Sequence, residues 1–182
     1  MGLGREVSKL IFHERVDILK IVAKRLNSRK PLLVTLYGDT ISEQIKFSKY
    51  SIDCGASGLI LQLLSQRMEE ENLVNFFSEI IDSVNCPVGV QNAPDFLRFG
   101  LSYQNLISLA KIHKNFTITK LECNAVNLES VSSVLGESVM LFNGRCGLEF
   151  PDNQSAGVSG LIPGFDTVYK TSEIFLEFKS KV

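Results

Sequence analysis

Lys120 stands inside a run of strand-forming residues, FTITKLEC, at 116–123. Strand alternation puts Phe116, Ile118, Lys120 and Glu122 on one face, and Thr117, Thr119, Leu121 and Cys123 on the other. An ammonium is costly to bury, and burial favours the neutral amine. A neutral amine attacks a ketone and forms a Schiff base. The same spacing also permits a plainer role, in which Lys120 snorkels to solvent or pairs with Glu122 two residues on.

Other residues that could hold a small ligand gather where short apolar runs end. Gln91 and Asn92 open the stretch QNAP, where they orient a substrate or simply make a polar turn before Pro94. Asn143, Gly144 and Arg145 begin NGRCG, whose glycines allow close backbone approach or serve a strand-to-helix turn. Arg98 is a carboxylate-binding candidate or a solvated loop cation. The remaining run ends present Tyr37-Gly38-Asp39, Leu64-Ser65-Gln66 and Ile162-Pro163-Gly164.

These residues need a frame, and one pattern recurs along the chain: a β-branched apolar run, a polar turn, then an amphipathic helix. Helical spacing predicts a first helix from Val7 to Leu26. Strands are predicted at 31–36, 58–63, 87–91, 116–121, 138–143 and 157–163. Helices are predicted between them at 41–54, 69–84, 103–114, 128–135 and 148–154, and after the last at 166–179. Thr40 with Glu43 reads as a capping box, and Ser102 as an N-cap. No linker or low-complexity run divides the chain, so 1–182 reads as one domain.

Alternation of this kind predicts parallel strands with right-handed crossovers. An open doubly wound sheet competes with a barrel, but neither GxGxxG nor GxxxxGK[ST] is present to mark a nucleotide site. A (β/α)8 barrel takes eight units and about 250 residues. Periodicity alone shows six units, as in a barrel without its first two strands. In either frame ligands collect at the carboxyl ends of the strands.

Composition narrows the classes further. The chain has 182 residues, 45% hydrophobic and 21% charged, with net charge −1, enough to bury one core. With pI near 6.1 and mean hydropathy +0.12, nothing favours nucleic acid or an anionic membrane as partner. The start, MGLGREVSKL, has no apolar segment of signal-peptide type. Cys54, Cys86, Cys123 and Cys146 form no CxxC pair, and His13 and His113 are too isolated to complete a zinc set. They read as free thiols in a reducing, cytoplasmic setting, with no metal.

In order and spacing, several segments resemble the dihydrodipicolinate synthase / N-acetylneuraminate lyase family of class I aldolases. GREVSKLIFHER is similar to the family stretch after the second barrel strand, with Glu6, Leu10, Glu14 and Arg15 in register. PLLVTLYGDT resembles the third strand, CGASGLIL the fourth, CPVGVQNAP the fifth and TKLE the sixth. LFNGRCGLEFPDNQSAGVSGLIP resembles the seventh and eighth. The resemblance implies a parallel (β/α)8 barrel of TIM type, present as roughly strands three to eight. It implies that Lys120 forms an imine with pyruvate or another small 2-oxo acid. Substrate contacts would come from Gln91, Asn92, Glu122, Asn143, Gly144 and the backbone of Ile162. Gly2, Leu3 and Gly4 fall on the loop that binds the substrate carboxylate. No cofactor is implied, because the lysine itself supplies the electron sink.

Three departures shape the expectation. Gln91 replaces the family's acid/base tyrosine, and a carboxamide cannot shuttle protons. Leu64-Ser65-Gln66 replaces Pro-Tyr-Tyr, and Gly2-Leu3-Gly4-Arg5 carries no hydroxyl. Dihydrodipicolinate synthesis itself is therefore not expected. The expected activity is that of a Schiff-base lyase or synthase, of aldolase or hydro-lyase type. The competing reading is a non-catalytic binding or regulatory relative. By the same alignment the chain is a fragment of a longer product, whose full-length form is a homo-oligomer.

Overall fold

The computed structural model describes residues 7–62, 67–164 and 166–181. The apolar runs form one six-stranded sheet, all parallel, in the order β1-β2-β3-β4-β5-β6. The strands are β1 (Leu33–Tyr37), β2 (Gly58–Gln62), β3 (Val88–Asn92), β4 (Phe116–Leu121), β5 (Met140–Asn143) and β6 (Gly160–Leu161). The helices are α1 (Phe12–Leu26), α2 (Ile41–Asp53), α3 (Glu70–Asp82), α4 (Pro94–Leu97), α5 (Tyr103–Ile112), α6 (Ala125–Leu135), α7 (Phe150–Ser155) and α8 (Val168–Lys181).

A doubly wound sheet reverses its strand order at a switch point. This one runs from first strand to last without reversal, so right-handed crossovers place their helices on a single face. The side chains agree. Leu59 and Leu61 of β2, Val88 and Val90 of β3, Leu121 of β4 and Leu141 of β5 join one apolar core with Phe47, Phe77, Ile80, Leu106 and Leu128 from the helices.

On the central strands the second face of the sheet is buried as well, whereas Met140 of β5 is exposed on it. Glycines at 58 and 89 clear it, and Ile118 of β4 fills the space: its Cδ1 lies 3.0 Å from where a Cβ on Gly58 would stand, two strands away.

Local chemistry sets several helix starts. Thr40 Oγ1 accepts the Glu43 N–H at 3.2 Å, and Ser102 Oγ accepts that of Asn105 at 3.3 Å. The expected first helix is divided: a 3-10 turn at Val7–Lys9 precedes α1, which begins only at Phe12. Glu14 takes the Ile11 N–H at 2.9 Å, fixing the helix start there with Ile11 extended. The last expected strand, 157–163, shrinks to Gly160–Leu161. Gly157 turns left-handed after α7 (φ 89°), and Ser159 Oγ takes the Leu141 N–H.

Simple alternation also fails at the start of β4. Phe116 pairs with Val88, but Ile118 pairs with Gly89, so Thr117 is an extra residue in the ladder. Phe116 therefore shares the helix-packed face with Val88, while Ile118 and Lys120 face the other way. The sequence expectation had put all three on one face.

Candidate functional site

Apart from Arg98, the expected site residues within the described segments fall at or just beyond the carboxyl ends of strands. In a parallel sheet, residues in register point to the same side. Gln91, Lys120 and Phe142 are in register across β3, β4 and β5, so they share the face opposite the helices. Asn92, Leu121 and Asn143 are in register one step further on, and Leu121 belongs to the helix-packed core.

The expected substrate contacts thus separate into two sets. The Asn92 carboxamide donates to Leu101 O at 2.8 Å and accepts the Leu101 N–H at 3.0 Å, tying down the loop after β3. Asn143 Nδ2 donates to Cys123 O at 3.0 Å. Both asparagines hold backbone on the helix side of the sheet, and their side chains do not reach the Lys120 face. Period-2 alternation is the physical reason, because a neighbour in sequence is on the opposite face.

On the Lys120 face the polar groups converge. Lys120 Nζ lies 2.7 Å from Glu122 Oε1, with the two side chains only 10% and 9% exposed. Gln91 Nε2 donates to the same oxygen at 3.3 Å, and the Arg145 backbone N–H donates to Glu122 Oε2 at 2.5 Å. Gly144 makes room for that carboxylate: a Cβ there would meet Oε1 at 2.2 Å and Oε2 at 2.5 Å. Arg145 and Cys146 both take positive φ, 37° and 53°, in the tight turn that brings the N–H inward. The ammonium is thus neutralised, and its carboxylate partner is fixed by a glycine cradle and a main-chain donor.

The sequence reading did not single out Gln62. It ends β2 two residues after Ile60, which is in register with Gly89, so it shares the face of Gln91 and Lys120. Gln62 is fully buried, and among the described residues neither its Nε2 nor its Oε1 has a hydrogen-bond partner. A polar side chain closing the otherwise apolar strand GLILQ was the available signal. Buried carboxamides are rarely left without partners, so this one is a ligand-binding candidate.

Ile162 continues the ladder beyond β6, its N–H bonded to Asn143 O at 2.8 Å. Arg98 is exposed at the left-handed end of α4, as a loop cation would be. Gly2, Leu3, Gly4 and the segment Leu64-Ser65-Gln66 lie outside the described residues.

Cys146 is exposed in the turn after β5, and Cys54, Cys86 and Cys123 pack with the helix-side core. Cys123 is buried on the helix side, where burial pushes its thiol up to about 11; burial likewise pushes the neighbouring Tyr103 up to about 12. Neither is poised for acid/base work near neutrality. Among the described residues, no group of three or more His, Cys, Asp or Glu side chains is arranged to hold a metal ion, and no helix is long and apolar enough to cross a membrane.

A buried lysine thus stands at the carboxyl end of a strand in a parallel α/β sheet, held by the Glu122 carboxylate, which also accepts from the Gln91 carboxamide. The profile of the dihydrodipicolinate synthetase family matches residues 1–170, and the chain belongs to that family.

The chain is 26% identical over 163 residues to the 4-hydroxy-tetrahydrodipicolinate synthase of Geobacter sulfurreducens, a match covering 88% of this chain and 56% of that protein. It therefore spans about half the length of the curated relatives it matches. Among solved structures, dihydrodipicolinate synthase from Aquifex aeolicus superposes with a TM-score of 0.89 at 20% identity, over 99% of this chain and 62% of that one. YagE of Escherichia coli K12, a family member solved in complex with pyruvate, superposes with a TM-score of 0.82 at 25% identity, over 89% of this chain and 56% of that one.

Proposed function

We propose that this chain carries the catalytic face of a Schiff-base lyase or synthase acting on pyruvate or another small 2-oxo acid, built as roughly strands three to eight of a (β/α)8 barrel. The observation that carries the reading is the placement of Lys120. It is a buried amine at the carboxyl end of a strand, with a carboxylate 2.7 Å away to neutralise it and to receive its proton. The family bond, and the pyruvate complex of YagE, support a 2-oxo acid as the partner of that amine.

In this reading the Lys120 amine attacks the ketone carbon and water leaves, giving an iminium whose positive nitrogen withdraws electrons from the neighbouring carbon. Gln91, and Gln62 with its two unpartnered polar atoms, would hydrogen-bond the oxygens of the substrate. Phe142, in register with Lys120, would form an apolar wall beside the reacting carbon.

The test is borohydride reduction in the presence of pyruvate and a panel of other 2-oxo acids, read by intact mass and peptide mapping. A reduced adduct on Lys120, absent from Lys120→Ala, is expected. No adduct with any 2-oxo acid, in folded protein, would leave the second reading standing: a non-catalytic binding relative. The observation favouring that second reading is Gln91, a group that cannot shuttle protons, in register with the lysine.

A further inference from the structure

Imine formation needs a group that takes a proton from the ammonium and later gives one to the departing hydroxyl. With a carboxamide at 91, that group must be found elsewhere on the lysine's face. We propose that Glu122 is this proton carrier, a catalytic acid/base in direct contact with the reacting nitrogen, supplied by the residue just after the strand that carries the nucleophile. The inference rests on the imine chemistry proposed above and assigns its proton transfers.

Three observations support it. Glu122 Oε1 is 2.7 Å from Lys120 Nζ, within direct transfer distance. The carboxylate is held in place, because the Arg145 N–H bonds Oε2 and the carboxylate sits in the space that a side chain on Gly144 would fill. The remaining titratable groups nearby are engaged otherwise. Arg145 pairs with Glu149 at 3.3 Å; Cys123 and Tyr103 lie on the helix side, and Asp95 follows β3 in the exposed α4. Glu122 is the one in contact with Nζ among the described ion pairs.

The steps balance. The ammonium gives a proton to the Glu122 carboxylate, leaving a neutral amine and a carboxylic acid. The nitrogen lone pair bonds to the ketone carbon while the carbonyl electron pair moves to oxygen, and a proton shifts from nitrogen to that oxygen to give the carbinolamine. Glu122 then protonates the hydroxyl, the C–O bond breaks, and water leaves. The products are the iminium, one water and the original carboxylate. The net reaction is ammonium plus ketone to iminium plus water.

The experiment measures the rate of borohydride-trapped pyruvate adduct in the 182-residue chain across pH 5–9. Wild type is compared with Glu122→Gln and Glu122→Asp. The expected result is a loss of about a hundredfold or more in Glu122→Gln, with the acid limb of the profile displaced because the carboxyl that exchanges protons with Lys120 is gone. Glu122→Asp should recover part of the rate and the wild-type shape of the profile. Adduct formation in Glu122→Gln at the wild-type rate, or slowed equally at every pH with the limb unmoved, would overturn the assignment and leave Glu122 a charge partner only. If Glu122→Gln does not fold, Glu122→Asp decides: a wild-type rate in folded Glu122→Asp, whose carboxyl is drawn back by one methylene, overturns the assignment. Absence of adduct in wild type with every 2-oxo acid would overturn both this inference and the imine chemistry beneath it. An adduct that is indifferent to Glu122 overturns this inference alone.

Discussion

Gly144 lies so close to Glu122 that a Cβ on the glycine would stand 2.2 Å from the carboxylate oxygen facing Lys120. The glycine is there to be absent: its missing side chain is the space the carboxylate occupies. The requirement is one of position, set by the packing of the carboxylate against the glycine.

Gly144→Ala should therefore displace the Glu122 carboxylate and cost about 1–3 kcal/mol of stability through overpacking. A fall in the pyruvate-trapping rate is expected to accompany the lowered denaturation midpoint. An alanine variant with unchanged stability and an unchanged trapping rate would show that the carboxylate can move aside freely.

Removing one member of the buried ion pair should be worse than removing both. Lys120→Ala leaves Glu122 charged and buried, with an expected loss of about 3–5 kcal/mol. The double variant Lys120→Met/Glu122→Leu should recover most of it, because buried pairs are often replaceable by apolar groups of similar volume. Urea unfolding of the single and double variants measures the difference, and additive losses would count against a coupled pair.

Asn92 and Gln91 are adjacent in sequence but should respond differently. Asn92→Ala breaks two buried hydrogen bonds to Leu101 and should cost about 2–3 kcal/mol. Its effect on chemistry should be seen only through stability. Gln91→Ala should lower the affinity for a 2-oxo acid several-fold with a smaller change in stability. Trapping at graded pyruvate concentrations, alongside thermal melts, separates the two.

Glu70 gives a stability term with a defined sign. Its carboxylate accepts hydrogen bonds from the Ser102 N–H and from Asn105 Nδ2, the latter at 2.8 Å, joining α3 to the start of α5. Hydrogen bonding from Ser102 lowers its pKa below the ordinary 4.5. A depressed folded-state value means that the stabilisation is complete above about 4.5 and is lost as pH falls through the lower, folded value. Glu70→Gln should lose about 0.5–1 kcal/mol at neutral pH, modest because the site is half-exposed. The gap from wild type should close in acid, which unfolding curves between pH 3 and 7 would show.

Thiol reactivity should follow burial. Cys146 is exposed and should react first with a disulfide reagent near neutrality. Cys123, buried and raised to about 11, should react only on unfolding. Cys86 is raised as well, by burial, and should be slow. Mass mapping of labelled peptides over time would give the order, and early labelling of Cys123 would show that the helix side of β4 opens readily.

Sequence alone was enough to show the alternation of strands and helices, and to place Lys120 within a strand beside Glu122. It was also enough to find the caps at Thr40 and Ser102, because these depend on periodicity and on hydrogen bonds between residues a few positions apart. Tertiary structure was needed to decide which side chains meet. The extra residue at Thr117 sends Phe116 to the helices and Ile118 to the other face, and only the register with β3 reveals it. Register likewise separates Asn92 and Asn143 from Gln91 and Lys120, although each asparagine adjoins the site in sequence. The Glu122 cradle joins β4 to the turn after β5, and the open polar atoms of Gln62 are a property of the packed sheet. Sequence patterns carry short-range spacing, whereas a site is made of contacts between strands about 30 residues apart, which exist only once the sheet has closed its register.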